Sequence, residues 1–112
     1  MKTKDILNAL SALAQESRLA VFRLLVQAGP QGMAATKIAE TLGLAPSSLS
    51  FHLKELTHAN LIRQTREGRS LIYSANFDTM NRLLAFLTEN CCGGNPCTPV
   101  RLPQCAHEGA SS

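Results

Sequence analysis

The stretch KIAETLGLAPSSLSFHLKELTHAN, residues 37–60, leaves this chain few folds to adopt. Ile38, Ala39 and Leu42 recur at helical spacing in its first part, and Leu49, Leu53 and Leu56 in its second. Only Gly43, Leu44 and Ala45 lie between the two runs. A three-residue turn containing glycine is the connection that a helix-turn-helix requires, so a helix over about 35–42 is expected to lead directly into another over about 46–60. Pro46 suits the first helical position, where its missing N–H would have had no partner anyway. Ala45 before it offers no side-chain acceptor, so the helix start lacks a cap. Opposite the leucines stand Ser47, Ser48, Phe51, Lys54 and His58. Small hydroxyls, a protruding aromatic and a cation suit a helix laid in a DNA major groove. Serines reach phosphates or base edges, Lys54 neutralises a phosphate and Phe51 meets thymine methyls. An ordinary amphipathic surface helix would show the same pattern, so the flanking segments decide.

Upstream, Thr3 is placed to cap a helix running to about Ala14, with Ile6, Leu7, Leu10 and Leu13 facing inward. Ser17 is placed to cap a second, with Leu19, Phe22, Leu25 and Val26 inward, and Gly29-Pro30 stops it. Downstream, Asn60 fits a left-handed C-cap. Two short β-prone runs then flank Arg66-Glu67-Gly68-Arg69, where Gly68 supplies the positive φ of a tight hairpin. Over residues 45–75 the cations Lys54, Arg63, Arg66 and Arg69 outnumber Glu55 and Glu67. Directly after a helix-turn-helix, such a hairpin tip is expected to reach phosphates or a minor groove rather than merely to be solvated. A last helix is expected from about Phe77 to Asn90, its wide apolar stripe formed by Met80, Leu83, Leu84 and Leu87. So small a domain has little core left for that stripe, and pairing with a second copy is the expected use. The order predicts a mainly α fold with a β-hairpin wing: a winged helix-turn-helix, dimeric through its first and last helices. Residues 1–90 form the DNA-binding and dimerisation domain, and residues 91–112 a cysteine-containing tail without regular structure of its own.

The 112 residues suffice for one domain, and an apolar content of 45% argues against wholesale disorder. A net charge of +3 permits a polyanionic partner without demanding one. The start MKTKDILNAL is not a signal peptide, and no run approaches a membrane span, so a cytoplasmic protein is expected. An enzyme is not expected. No cysteine has the Cys-x5-Arg spacing of a thiol phosphatase or arsenate reductase, and no other nucleophile–base pattern is visible. All four cysteines, Cys91, Cys92, Cys97 and Cys105, fall in the last 22 residues. In a reducing compartment such a cluster points to metal binding or thiol chemistry rather than to a disulfide framework.

On LAQESRLAVFRLL, KIAETLGLAPSSLSFHLKELTHANLI and REGRSLIYSA, the chain resembles the ArsR/SmtB metal-sensing repressors over roughly residues 5–90. The resemblance implies a homodimeric repressor that leaves an inverted-repeat operator in double-stranded DNA when a metal or metalloid ion binds. It places Ser47, Ser48, Ser50, Phe51 and His52 where that family meets DNA; a packed or capping role for His52 is an equal alternative. Lys54, Arg66 and Arg69 complete the expected interface. The chain also departs from the family. MAATKIAETLG carries no thiol where arsenic sensors have a cysteine cluster, and the last helix has Asp78 but no histidine for a zinc site. Sensing is therefore expected at Cys91, Cys92 and Cys97, with Cys105 within reach as a further ligand. As(III) and Sb(III) favour three thiolates, and Gly93-Gly94-Asn95-Pro96 lets Cys97 fold back over the adjacent pair. A subset of the family resembles this arrangement, which implies As(III) or Sb(III) as inducer. Zinc or cadmium, with His107 as a spare ligand, a disulfide switch and an inert tail stay open.

Overall fold

The computed structural model describes residues 2–90 and Gly93. The tail cysteines Cys91, Cys92, Cys97 and Cys105 lie outside the described residues. The elements run α1 (Thr3–Leu13), α2 (Glu16–Ala28), β1 (Met33–Ala34), α3 (Ala35–Leu42), α4 (Pro46–His58), β2 (Ile62–Glu67), β3 (Ser70–Ala75) and α5 (Phe77–Leu87). This is a winged helix-turn-helix, with α3 and α4 as the helical pair and β2–β3 as the wing.

Local chemistry explains most boundaries. Gly43 takes the left-handed conformation, φ 66° and ψ 34°, that ends α3, and its N–H and that of Leu44 both close on the Ala39 carbonyl. Pro46 opens α4 behind an uncapped Ala45, as expected. Asn60 stands at φ 66° just beyond α4. Two caps differ from expectation. Thr3 lies inside α1, whose N-cap Lys2 makes no side-chain bond. Gln15 rather than Ser17 caps α2, its Oε1 accepting the Arg18 N–H at 2.8 Å. The last helix ends at Leu87, short of the expected Asn90.

The core is built from Ile6, Val21, Leu25, Ile38, Leu49, Leu53, Leu56, Leu61 and Ile62, all buried. It joins the inner faces of α1, α2, α3 and α4 to the base of the wing. Leu7, Leu10 and Leu19, expected inward, are exposed. Ala9 and Ala12 take the inward positions of α1, and Val21 does so in α2. The packed face of α1 is therefore the one carrying Ile6, Ala9 and Ala12, and Leu7 and Leu10 turn outward beside it.

The sheet has three strands in the order β1-β3-β2, all antiparallel. Sequence reasoning anticipated the hairpin but not β1, which pairs Met33 with Tyr73 and Ala34 with Ile72. Gly32 makes that approach possible. At φ +72°, a Cβ there would stand 2.3 Å from the Tyr73 carbonyl oxygen.

Candidate nucleic-acid interface

α4 buries Leu49, Leu53 and Leu56 and turns its other side to solvent. Ser47, Ser48, Ser50, Phe51 and Lys54 are all exposed there. The two serines lie in the first turn, where the uncapped backbone N–H groups also point outward. Phe51 is 54% exposed, an unfavourable place for an aromatic ring unless something covers it. Its ring meets His52 edge-on, with centroids 5.8 Å apart and planes at 63°.

His52 is half-buried. Its Nδ1 is the one buried side-chain nitrogen or oxygen without a hydrogen-bond partner among the described residues. Half-burial is compatible with the packed role named in the sequence reading.

The wing supplies the cations. Gly68, at φ 64°, and Arg69 form a two-residue loop between the paired Glu67 and Ser70. Across the ladder Gln64 faces Tyr73 and Arg66 faces Leu71 on one side, while Arg63, Thr65 and Glu67 share the other. Gln64 Nε2 donates to the Tyr73 hydroxyl at 2.9 Å, cross-linking the strands below the tip. Arg66 and Arg69 are exposed, and neither they nor Lys54 is ion-paired among the described residues. The base of the wing packs against α4. One rigid unit therefore carries hydroxyls, an aromatic ring and free cations. Such a surface can read base edges and neutralise phosphates.

Arg63, by contrast, lines a polar cleft of about 500 Å³ with Asp5, His58, Asp78 and Arg82. Asn76, which the sequence reading passed over, is buried and caps α5 by accepting the Thr79 N–H at 3.2 Å. Its position directly before an apolar helical run was the available signal. Among the described residues no group of three or more His, Cys, Asp or Glu side chains could hold a metal ion. No described helix is long and apolar enough to cross a membrane.

A family model for a helix-turn-helix domain matches residues 13–65. The chain is 36% identical to the arsenical resistance operon repressor of Bacillus subtilis over 81 residues, covering 72% of this chain and 73% of that protein. It is 34% identical over 80 residues to the nodulation protein NolR of Rhizobium meliloti, covering 71% of this chain. It spans only 63% of that relative's length. The crystal structure of NolR from Sinorhizobium fredii superposes with a TM-score of 0.62 at 32% identity, covering 77% of this chain and 83% of that one.

Proposed function

The chain belongs to the ArsR family of winged helix-turn-helix transcriptional regulators, and from that premise we propose that it is a dimeric repressor released from its operator by As(III) or Sb(III). The observation that carries the DNA-binding half is the exposed face of α4, with Phe51 54% accessible beside Ser47, Ser48, Ser50 and Lys54. His52 lies beside them on α4, and Arg66 and Arg69 extend the surface along the wing. Dimerisation through α1 and α5 is supported by Leu7, Leu10, Leu84, Phe86 and Leu87, all large, apolar and exposed in the single chain. A two-fold dimer puts its recognition helices into successive major grooves, about 34–36 Å apart, so the operator is an inverted repeat.

The inducer half rests on the thiols. With no candidate metal cluster among the described residues, the ligands for a soft ion are Cys91, Cys92 and Cys97, with Cys105 as a further donor. Trivalent arsenic supplies a thiophilic centre that ties these sulfurs together. The name of the Bacillus subtilis relative supports arsenic as the signal. Cys91 and Cys92 follow α5 closely, so an ion held there acts on an element of the dimer. To move a population from 99:1 bound to 1:99, the ion must favour the DNA-incompetent form by about 5.5 kcal/mol, shared between two sites per dimer.

The test is a chain cut after Asn90, compared with the full chain on promoter DNA. Both retard the DNA, and only the full chain lets go when arsenite or antimonite is added. Cys91→Ser, Cys92→Ser and Cys97→Ser each abolish release, and Cys105→Ser weakens it less. Release of the shortened chain by arsenite would overturn the site. Titrating cadmium, zinc and an oxidant in parallel distinguishes other thiol ligands and disulfide formation.

A further inference from the structure

Asn76 is 5% exposed and divides its polar groups between two elements. Its backbone N–H donates to the Leu61 carbonyl at 2.8 Å, and its side-chain Nδ2 donates to the Asn60 carbonyl at 3.1 Å. Its Oδ1 accepts the Thr79 N–H at 3.2 Å, and its carbonyl accepts the Met80 N–H at 3.1 Å. Two of these bonds hold the residues that end α4, and two hold the first turn of α5. Asn60 and Leu61 in turn donate to Thr57 and Leu56, each at 3.0 Å. The grip is therefore on the closing turn of the recognition helix.

α5 is otherwise lightly attached. Along it only Thr79 and Leu83 are buried, Phe77 and Met80 are half-buried, and Leu84, Phe86 and Leu87 face outward. Beside Asn76 the packing is one-sided: Leu61, Ala75 and Leu83 belong to the core and Phe77 and Met80 pack against it, while the other side is polar. Asp5, Asn8, His58, Arg63, Asp78 and Arg82 line a cleft of about 500 Å³ there, between α1, the end of α4, the start of β2 and the start of α5. On that polar side the buried hydrogen bonds of Asn76 fix the two elements relative to each other. A helix held at its first turn, with one face on its own core and the other on a second copy, passes a shift at the dimer seam to the held end.

We propose that Asn76 is the joint through which the last helix sets the pose of the recognition helix, a positioning residue for DNA binding that itself touches no DNA. The proposal rests on the repressor reading, because the thiol tail follows the far end of α5 in sequence. Tying the tail tilts α5 about Asn76, and the Asn60 carbonyl carries that tilt to the end of α4. Both states exist without the ion; it biases one of them.

Capping and tethering separate by mutation. Serine caps a helix about as well as asparagine, but its hydroxyl is too short to reach the Asn60 carbonyl. Full-length N76S is compared with N76A, which loses both functions. In the free protein, N76S exchanges its Asn60 and Leu61 amide hydrogens about fivefold faster than wild type, the equivalent of one lost hydrogen bond, while Thr79 stays protected. N76A loses protection at all three. On DNA, the ratio of operator affinities without and with arsenite falls about fivefold in N76S, while the dimer mass is unchanged. A residue that only stabilised the fold would leave that ratio at the wild-type value, and so would overturn the joint. Unchanged exchange at Asn60 and Leu61 would overturn it too. Wild-type protein that holds DNA but ignores arsenite would sink the thiol trigger instead, with the exchange rates still deciding the joint.

Discussion

Replacing Arg69 by glutamine removes an exposed, unpaired guanidinium from the wing tip while leaving the turn glycine and the strand register intact. Lys54, Arg66 and Arg69 are the free cations of the interface in each protomer. If all of them meet phosphates, a dimer neutralises about six, and log K falls against log salt with a slope of about −5.4. A fourfold rise in salt then weakens binding by about 1,800-fold. R69Q withdraws two of those contacts per dimer, so the slope relaxes to about −3.6 and the same salt step weakens binding by about 150-fold. Fluorescence anisotropy of a labelled operator duplex across a salt series measures both slopes. Arg82→Gln is the control, since Arg82 is engaged with Asp78 at 3.1 Å on α5 and lies off the proposed interface. Its slope stays at the wild-type value. An R69Q slope equal to wild type would show that Arg69 does not meet the backbone, and the same result in R66Q would shrink the interface to α4.

Phe51→Ala leaves the thermal midpoint nearly unchanged because the ring is largely exposed, yet lowers operator affinity by about 1–3 kcal/mol if it covers thymine methyls; melting and anisotropy on one preparation separate the two effects. Leu56→Ala, at a position with 0% exposure, costs about 2–5 kcal/mol of stability in chemical denaturation. Gly32→Ala forces a Cβ against the Tyr73 carbonyl at 2.3 Å with φ +72°, and lowers stability by at least about 1–3 kcal/mol in the same assay. Leu84→Asp, at 51% exposure, leaves the single-chain fold intact but shifts sedimentation toward monomer and weakens operator binding with it.

How much of this could be read beforehand depended on where the decisive interactions lie in the chain. The pair α3–α4 and the wing were legible because Gly43, Pro46, Asn60 and Gly68 act within a few residues of themselves, and the leucines of α4 repeat at helical spacing. β1 was not legible. Two residues, Met33 and Ala34, show no periodicity, and their pairing is chosen by Tyr73 and Ile72 some forty positions away. The inward face of α1 was misread for a related reason. Leu7 and Leu10 are the conspicuous apolar residues, but a close helix approach favours Ala9 and Ala12, and chain pattern alone does not weigh closeness against bulk. Gln15 capping α2 in place of Ser17 follows from a longer side chain folding back, which preference rankings do not register. At the interface, exposure of Ser47, Ser48, Ser50, Phe51, Lys54, Arg66 and Arg69 follows the sequence reading, whereas the half-burial of His52 and its unpartnered Nδ1 needed coordinates.

The most direct measurement is a nuclease footprint of the full chain on the DNA upstream of its own transcription unit, taken with and without arsenite. Two protected segments centred about one helical turn apart, both lost when arsenite is added, are what a dimer carrying two copies of α4 produces. A single unpaired segment, or none at salt low enough to favour binding, would contradict the reading of α4 and the wing as its DNA-binding face.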